Sequence, residues 1–214
     1  MFSLDNPQST PLCEIMGRHQ SDKGHENIQK SGHNYTLLYY SIFKELRDKK
    51  LRIFELGLGT NNESLPSNMG KNGRPGASLY GWEEFFNKAD IFGADIDKDI
   101  LFNTDRIKTF YCDQTNPQVI KDMWNDSNLQ ENFDIIIEDG LHTFKSNVCF
   151  FENSIHKLKN NGYYIIEDIH NDNLNLFKTK IQEWEKIYND CSFKLIDLPP
   201  TIKKDNNLLV VFKA

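Results

Sequence analysis

The 214-residue chain lacks several features that would each announce a function class. It has no excess of basic residues: 25 Lys and Arg stand against 31 Asp and Glu, for a net charge of -6. Gripping a phosphate backbone requires a broad cationic surface, so nucleic acid is not an expected partner. No apolar run approaches the roughly 18 to 20 residues of a membrane span, and the N-terminal segment has no basic start followed by an apolar stretch. No membrane partner is expected, and the expected location is the cytoplasm. The four cysteines, Cys13, Cys112, Cys149 and Cys191, form no CxxC pair, which argues against a zinc knot or a disulfide framework and for free thiols. Internal repeats, low-complexity tracts and linkers are also missing.

What is present is enough apolar residue, 38% of the chain, to bury one sizeable core. Short apolar runs at 51–56, 91–94, 107–112, 133–137 and 163–166 alternate with helix-period segments at 79–88, 117–124, 147–158 and 174–188. Strands crossed over by helices onto a parallel sheet produce this alternation. Two further runs, 193–198 and 208–212, separated by Pro199 and Pro200, predict a hairpin-like end and bring the strand count to seven. Before the first strand, 35–49 predicts a helix and the polar stretch 18–32 a loop over the ligand site. Residues 1–50 are thus expected to form a helical cap, and 51–214 the main domain. The stretch 60–76 is too rich in Gly, Pro and Asn for a regular element, and its position after the first strand predicts a functional lid.

Ligands of open parallel sheets bind beyond the carboxyl ends of the strands. The first strand ends in Glu55-Leu56-Gly57-Leu58-Gly59, where Gly57 and Gly59 let the backbone approach a ligand closely. The second ends at Asp95, placed to hold a ribose diol, and the third at Asp113-Gln114, suited to an adenine amine. A dinucleotide fingerprint would need glycine where Asn62 stands, which disfavours NAD. Each acid taken singly reads as a helix cap or a solvated strand end, but three in register favour a ligand site. The fourth and fifth strands end in Glu138-Asp139-Gly140-Leu141-His142 and Glu167-Asp168-Ile169-His170. Asp139, Glu167 and Asp168 therefore converge at one sheet edge, and gathered carboxylates suit a hard ion such as Mg2+. His142 lies close enough to act as a general base at neutral pH. Strand alternation points Glu138 away from the site. His170 reads as a loop residue, His19, His25 and His156 as surface residues, and Tyr39, Tyr40, Phe43, Phe85 and Phe86 as core.

The leading Glu55, the glycines and the strand-end acids resemble the S-adenosylmethionine site of class I methyltransferases, from about Phe54 onward. That resemblance implies an α/β Rossmann-like fold: a seven-stranded, mostly parallel sheet with an antiparallel last strand and helices on both faces. DGLH at 139–142 and IED at 166–168, with Ser21-Asp22-Lys23-Gly24, His33, Tyr35 and Tyr39, resemble the metal-dependent sugar O-methyltransferases of macrolide biosynthesis, the mycinamicin type. The family resemblance implies metal ligands at Asp139, Glu167 and Asp168 and His142 as base. Donor contacts are expected at Glu55, Gly57, Gly59, Asp95, Asp113, Gln114, Asp22, Lys23 and Tyr35. The implied cofactors are S-adenosylmethionine and a divalent ion. The expected partner is a small-molecule acceptor, a sugar or nucleotide-activated sugar, and the expected assembly a homo-oligomer. Alternatives are a catechol or a small phosphorylated metabolite as acceptor, a non-catalytic donor-binding subunit, or a nicotinamide-dependent reductase.

Overall fold

The computed structural model describes residues 9–24, 33–198 and 205–214. Seven strands form one sheet in the order β3-β2-β1-β4-β5-β7-β6. They are β1 Arg52–Leu56, β2 Asp90–Asp95, β3 Ile107–Tyr111, β4 Phe133–Glu138, β5 Leu158–Ile169, β6 Cys191–Asp197 and β7 Asn207–Lys213. The first five run parallel, and β7 runs antiparallel to both β5 and β6. The expected sheet, including its reversed last strand, is the one observed.

The described residues contain the helices α1 Pro11–Arg18, α2 Tyr35–Phe43, α3 Ala77–Phe85, α4 Pro117–Trp124, α5 Phe144–Ser154 and α6 Leu174–Ile187. Thr10 caps α1 by accepting from the Cys13 N–H, and Pro11 opens it. This start signal lies in a segment for which no helix was expected. The helix expected over 35–49 stops at Phe43 and continues only as a 3-10 turn over Lys44–Leu46. Strand β5 begins well before 163. Its polar stretch 159–161 falls between the pairs Phe133–Leu158 and Ile135–Tyr163, where the register shifts, and it has no apolar pattern.

Alternating side chains build two cores, because both faces of the sheet are covered. Ile53, Ile91, Ile135 and Ile165 face α1, α2 and α3, where Leu12, Met16, Tyr39, Phe43, Trp82 and Phe86 are buried. Phe54, Phe92, Ile136 and Tyr164 face α4, α5 and α6, with Trp124, Phe150, Phe151 and Trp184. Of the aromatic set expected in the core, Tyr39, Phe43, Phe85 and Phe86 are fully buried and Tyr40 packs partly buried beside them. The N-terminal helices are therefore part of the core and also reach the sheet edge. All four cysteines are free. No described helix is long and apolar enough to cross a membrane.

Candidate active site

A cavity of about 550 Å3 opens at the carboxyl ends of β1 to β5. Gly57 and Gly59 form its floor with left-handed φ values of 92° and 75°. A Cβ at Gly57 would lie 1.8 Å from the Asp139 carbonyl oxygen, so only glycine lets β1 and β4 approach this closely. Gly57 N–H donates to Ala94 O at 2.8 Å and Asp139 N–H to Leu56 O at 2.9 Å, which ties three strand ends together.

On the β2 and β3 side the acids serve the backbone. Asp95 accepts from the N–H groups of Leu58 at 2.7 Å and Asp97 at 2.8 Å, and burial raises its pKa. The Thr60 hydroxyl donates to Asp97. Asp113 accepts from Thr115 N–H at 2.9 Å. Gln114 links two elements: its amide donates to Glu138 at 2.9 Å and its oxygen accepts from Leu141 N–H at 2.6 Å. Glu138 also accepts from Asn147 at 2.6 Å and does not line the cavity. Burial pushes its carboxyl up to about 7.

The β4 and β5 side concentrates charge. Lys23, 2% exposed, donates to both Asp139 and Glu167 and lies 3.7 Å from Glu55. Burial alone would lower its pKa, but Asp139, Glu167 and Glu55 outweigh that and hold it well above the ordinary value. Burial would likewise raise Asp139, yet Lys23 and His142 keep its carboxyl well below the usual range. Glu167 and Asp168 are raised by burial first, with the Asp139 charge adding to it. His142 Nε2 lies 3.1 Å from Asp139 Oδ1 and Nδ1 lies 3.6 Å from Asp168 Oδ2. Burial opposes a charged imidazole, but the Asp139 hydrogen bond and the Asp168 charge prevail and push it up to about 10.

Asp139, His142 and Asp168 each offer a ligand atom within 4.8 Å of the others. With Glu55 and Glu167 close behind, four buried or half-buried carboxylates gather here, three of them, Asp139, Glu167 and Glu55, around the Lys23 ammonium. This negative excess, beside an imidazole, fits a divalent cation. Lys23 holds Asp139 Oδ2, while Asp139 Oδ1 and Asp168 Oδ2 face His142. Glu167 is engaged by Lys23 and by the Tyr39 hydroxyl.

Asp22, Lys23, Gly57, Gly59, Asp95, Asp113, Gln114, Asp139, His142 and Asp168 all line the cavity. Glu55, Tyr35 and Glu167 are buried behind its wall. Glu55 accepts from Ser78 and from Trp82 Nε1, the latter at 2.5 Å, and Tyr35 donates to Asp168 Oδ1 at 2.5 Å. The 60–76 loop contributes Pro66, Ser67, Asn68, Met69 and Arg74, and Ser67 reaches across to Leu141 O at 3.2 Å. His170 is half-buried and outside the cavity, His156 is exposed, His19 pairs with Glu84, and His25 lies outside the described residues. Reading Tyr39 as core overlooked its hydroxyl, although its spacing of four from Tyr35 on one helix face was a usable signal.

No family model matches the chain. Among solved structures, MycE methyltransferase from the mycinamycin biosynthetic pathway, in complex with Mg and SAH, superimposes with a TM-score of 0.72 at 22% identity. The match covers 96% of this chain and 55% of that one. The fold is that of a class I S-adenosylmethionine-dependent methyltransferase. Curated relatives of the chain include the 8-demethyl-8-alpha-L-rhamnosyl tetracenomycin-C 2'-O-methyltransferase of Streptomyces olivaceus, 28% identical over 79% of the chain. Another is the L-olivosyl-oleandolide 3-O-methyltransferase of Streptomyces antibioticus, 30% identical over 75%. The matched regions amount to 40% and 38% of those two relatives.

Proposed function

We propose that the chain transfers a methyl group from S-adenosylmethionine to a hydroxyl of a small molecule, a sugar or nucleotide-activated sugar, with a divalent cation and His142 as base. The observation that carries this reading is the meeting of Asp139, His142 and Asp168 within 4.8 Å on the wall of the glycine-floored cavity. The sugar follows from what the relatives act on, natural-product sugars by name.

In this reading Gly57 and Gly59 let the donor lie against the backbone, with Asp95 and the Asp113-Gln114 pair beside its nucleoside. Asp22 and Lys23 close the cavity from the N-terminal side. Glu55 acts from behind by holding Ser78, Trp82 and Lys23. Asp139, Glu167 and Asp168 would hold a divalent cation, which would supply acidification and orientation of the acceptor hydroxyl. His142 keeps a proton while the Asp139 and Asp168 carboxylates face it, and it would be freed to act as the base by a cation bound to them. It then takes the hydroxyl proton as the oxygen forms its bond to the methyl carbon and the carbon–sulfur bond breaks, releasing S-adenosylhomocysteine. Orientation supplies much of the rate, since the reaction needs an in-line approach of oxygen, carbon and sulfur.

Isothermal titration of the EDTA-stripped protein with S-adenosylhomocysteine, repeated with Mg2+, tests the donor site without an acceptor. Micromolar binding supports the reading, and absence of binding in both conditions overturns it. A panel of sugar, catechol and phosphorylated acceptors with labelled donor then tests the substrate class. The homo-oligomer implied by the family resemblance is tested by sedimentation velocity.

A further inference from the structure

Consecutive residues of a regular strand point to opposite faces, yet both Glu167 and Asp168 turn their carboxylates toward α2. Strand β5 achieves this by a left-handed backbone at Asp168, φ 54°. Two tyrosines four residues apart on α2 meet the two acids: the Tyr39 hydroxyl donates to Glu167, and the Tyr35 hydroxyl donates to Asp168 Oδ1 at 2.5 Å. Tyr35 does more than cap a carboxylate, because its oxygen also accepts from the Asp168 backbone N–H at 3.2 Å. One hydroxyl thus holds both the amide and the side chain of a residue whose left-handed backbone is unusual for a non-glycine. The orientation leaves Asp168 Oδ2 facing His142 Nδ1 at 3.6 Å. Burial, reinforced by the facing carboxylates, raises both phenols well above their ordinary value and keeps them as donors.

We propose that Tyr35 and Tyr39 are positioning residues that aim the Asp168 and Glu167 carboxylates at the cation, with Tyr35 also holding the turned backbone of Asp168. The proposal rests on the cation reading above and takes Tyr35 out of direct contact with the donor. Partners that orient ligating carboxylates tune metal affinity by roughly 10- to 100-fold.

The test uses the full chain with Tyr35→Phe and Tyr39→Phe, each removing only the hydroxyl and keeping the ring. Titrations with Mn2+ and with S-adenosylhomocysteine are read beside thermal unfolding and hydrogen exchange of the peptide carrying Asp168. Each variant should bind Mn2+ about 10- to 100-fold more weakly while binding S-adenosylhomocysteine as the wild type does. Any fall in turnover should appear in kcat and recover at high Mn2+. The Asp168 amide should exchange roughly fivefold faster or more in Tyr35→Phe, but not in Tyr39→Phe, which leaves that amide's partner in place. Wild-type Mn2+ affinity together with unchanged exchange overturns the proposal, as does an equal loss of both ligands in a protein of lowered Tm. If the wild type binds no Mn2+, the cation reading falls, and with it the aiming role. Exchange then decides separately whether Tyr35 holds the Asp168 backbone.

Discussion

The two ends of the cavity are built by different means. At β2 and β3 the acids are satisfied locally: Asp95 by Asp97 N–H and by Leu58 of the adjacent glycine loop, and Asp113 by Thr115. At β4 and β5 they are satisfied from far away in sequence, since Lys23 is 116 residues from Asp139 and 144 from Glu167, and Tyr35 is 133 from Asp168. Backbone amides hold charge at little desolvation cost, and such sites form as soon as the strand ends turn. Four carboxylates packed together need cationic and hydroxyl partners: the folded N-terminal segment brings in Lys23, Tyr35 and Tyr39, and Ser78 and His142 supply the others. In the proposed function the first end takes the nucleoside of the donor, and the second, a charge imbalance, takes the cation.

This contrast can be broken or sharpened by substitution, and the largest effect is expected at the charged end. Asp139→Asn should eliminate methyl transfer that EDTA also eliminates while S-adenosylhomocysteine still binds; transfer that survives both treatments would remove the metal from the mechanism. His142→Ala should lower turnover by roughly 100- to 10,000-fold with donor affinity kept, measured as kcat against donor binding. Unchanged turnover would reject His142 as the base.

Gly57 belongs to both ends, so Gly57→Ala is the variant that should blur the distinction. Its Cβ would meet the Asp139 carbonyl and its φ of 92° is strained for alanine, so donor affinity, metal affinity and Tm should all fall. Backbone strain of about 1–3 kcal/mol corresponds to a drop of several degrees in Tm. A variant that keeps wild-type Tm and binding would show that the two strands can separate without consequence.

A pH dependence of stability completes the comparison. His142 is raised to about 10 from 6.5 in the folded chain, so its stabilising contribution is complete below about pH 6.5 and is lost as pH rises toward 10. Scanning Tm of the cation-free protein from pH 7 to 10 should show a decline, and His142→Asn should flatten it. Equal slopes would place the titrating group elsewhere.

The same contrast sets what could be read from sequence. The seven strands and their acid-tipped ends were legible because periodicity and turn residues are local signals, and so were the glycine floor and the convergence of Asp139 and Asp168. Helix α1 escaped because its apolar face spans only two turns, despite the Thr10 cap and Pro11. The positions of Glu55, Tyr35 and Glu167 behind the wall were not legible, because whether a strand-end carboxylate faces ligand or core depends on what packs against it. For Glu55 that is Ser78 and Trp82, for Glu167 it is Lys23 and Tyr39, and no spacing rule links such distant residues.

The contact between Gly57 and the Asp139 carbonyl makes a hinge-free joint between the two working parts of the molecule. Under the proposed function, the joint would keep the spacing between Gly57 and the carboxylate cluster while the loops at the mouth vary with the acceptor. A chimera carrying a foreign 60–76 loop would inherit that spacing intact, which makes this loop the natural place to begin redesign of specificity.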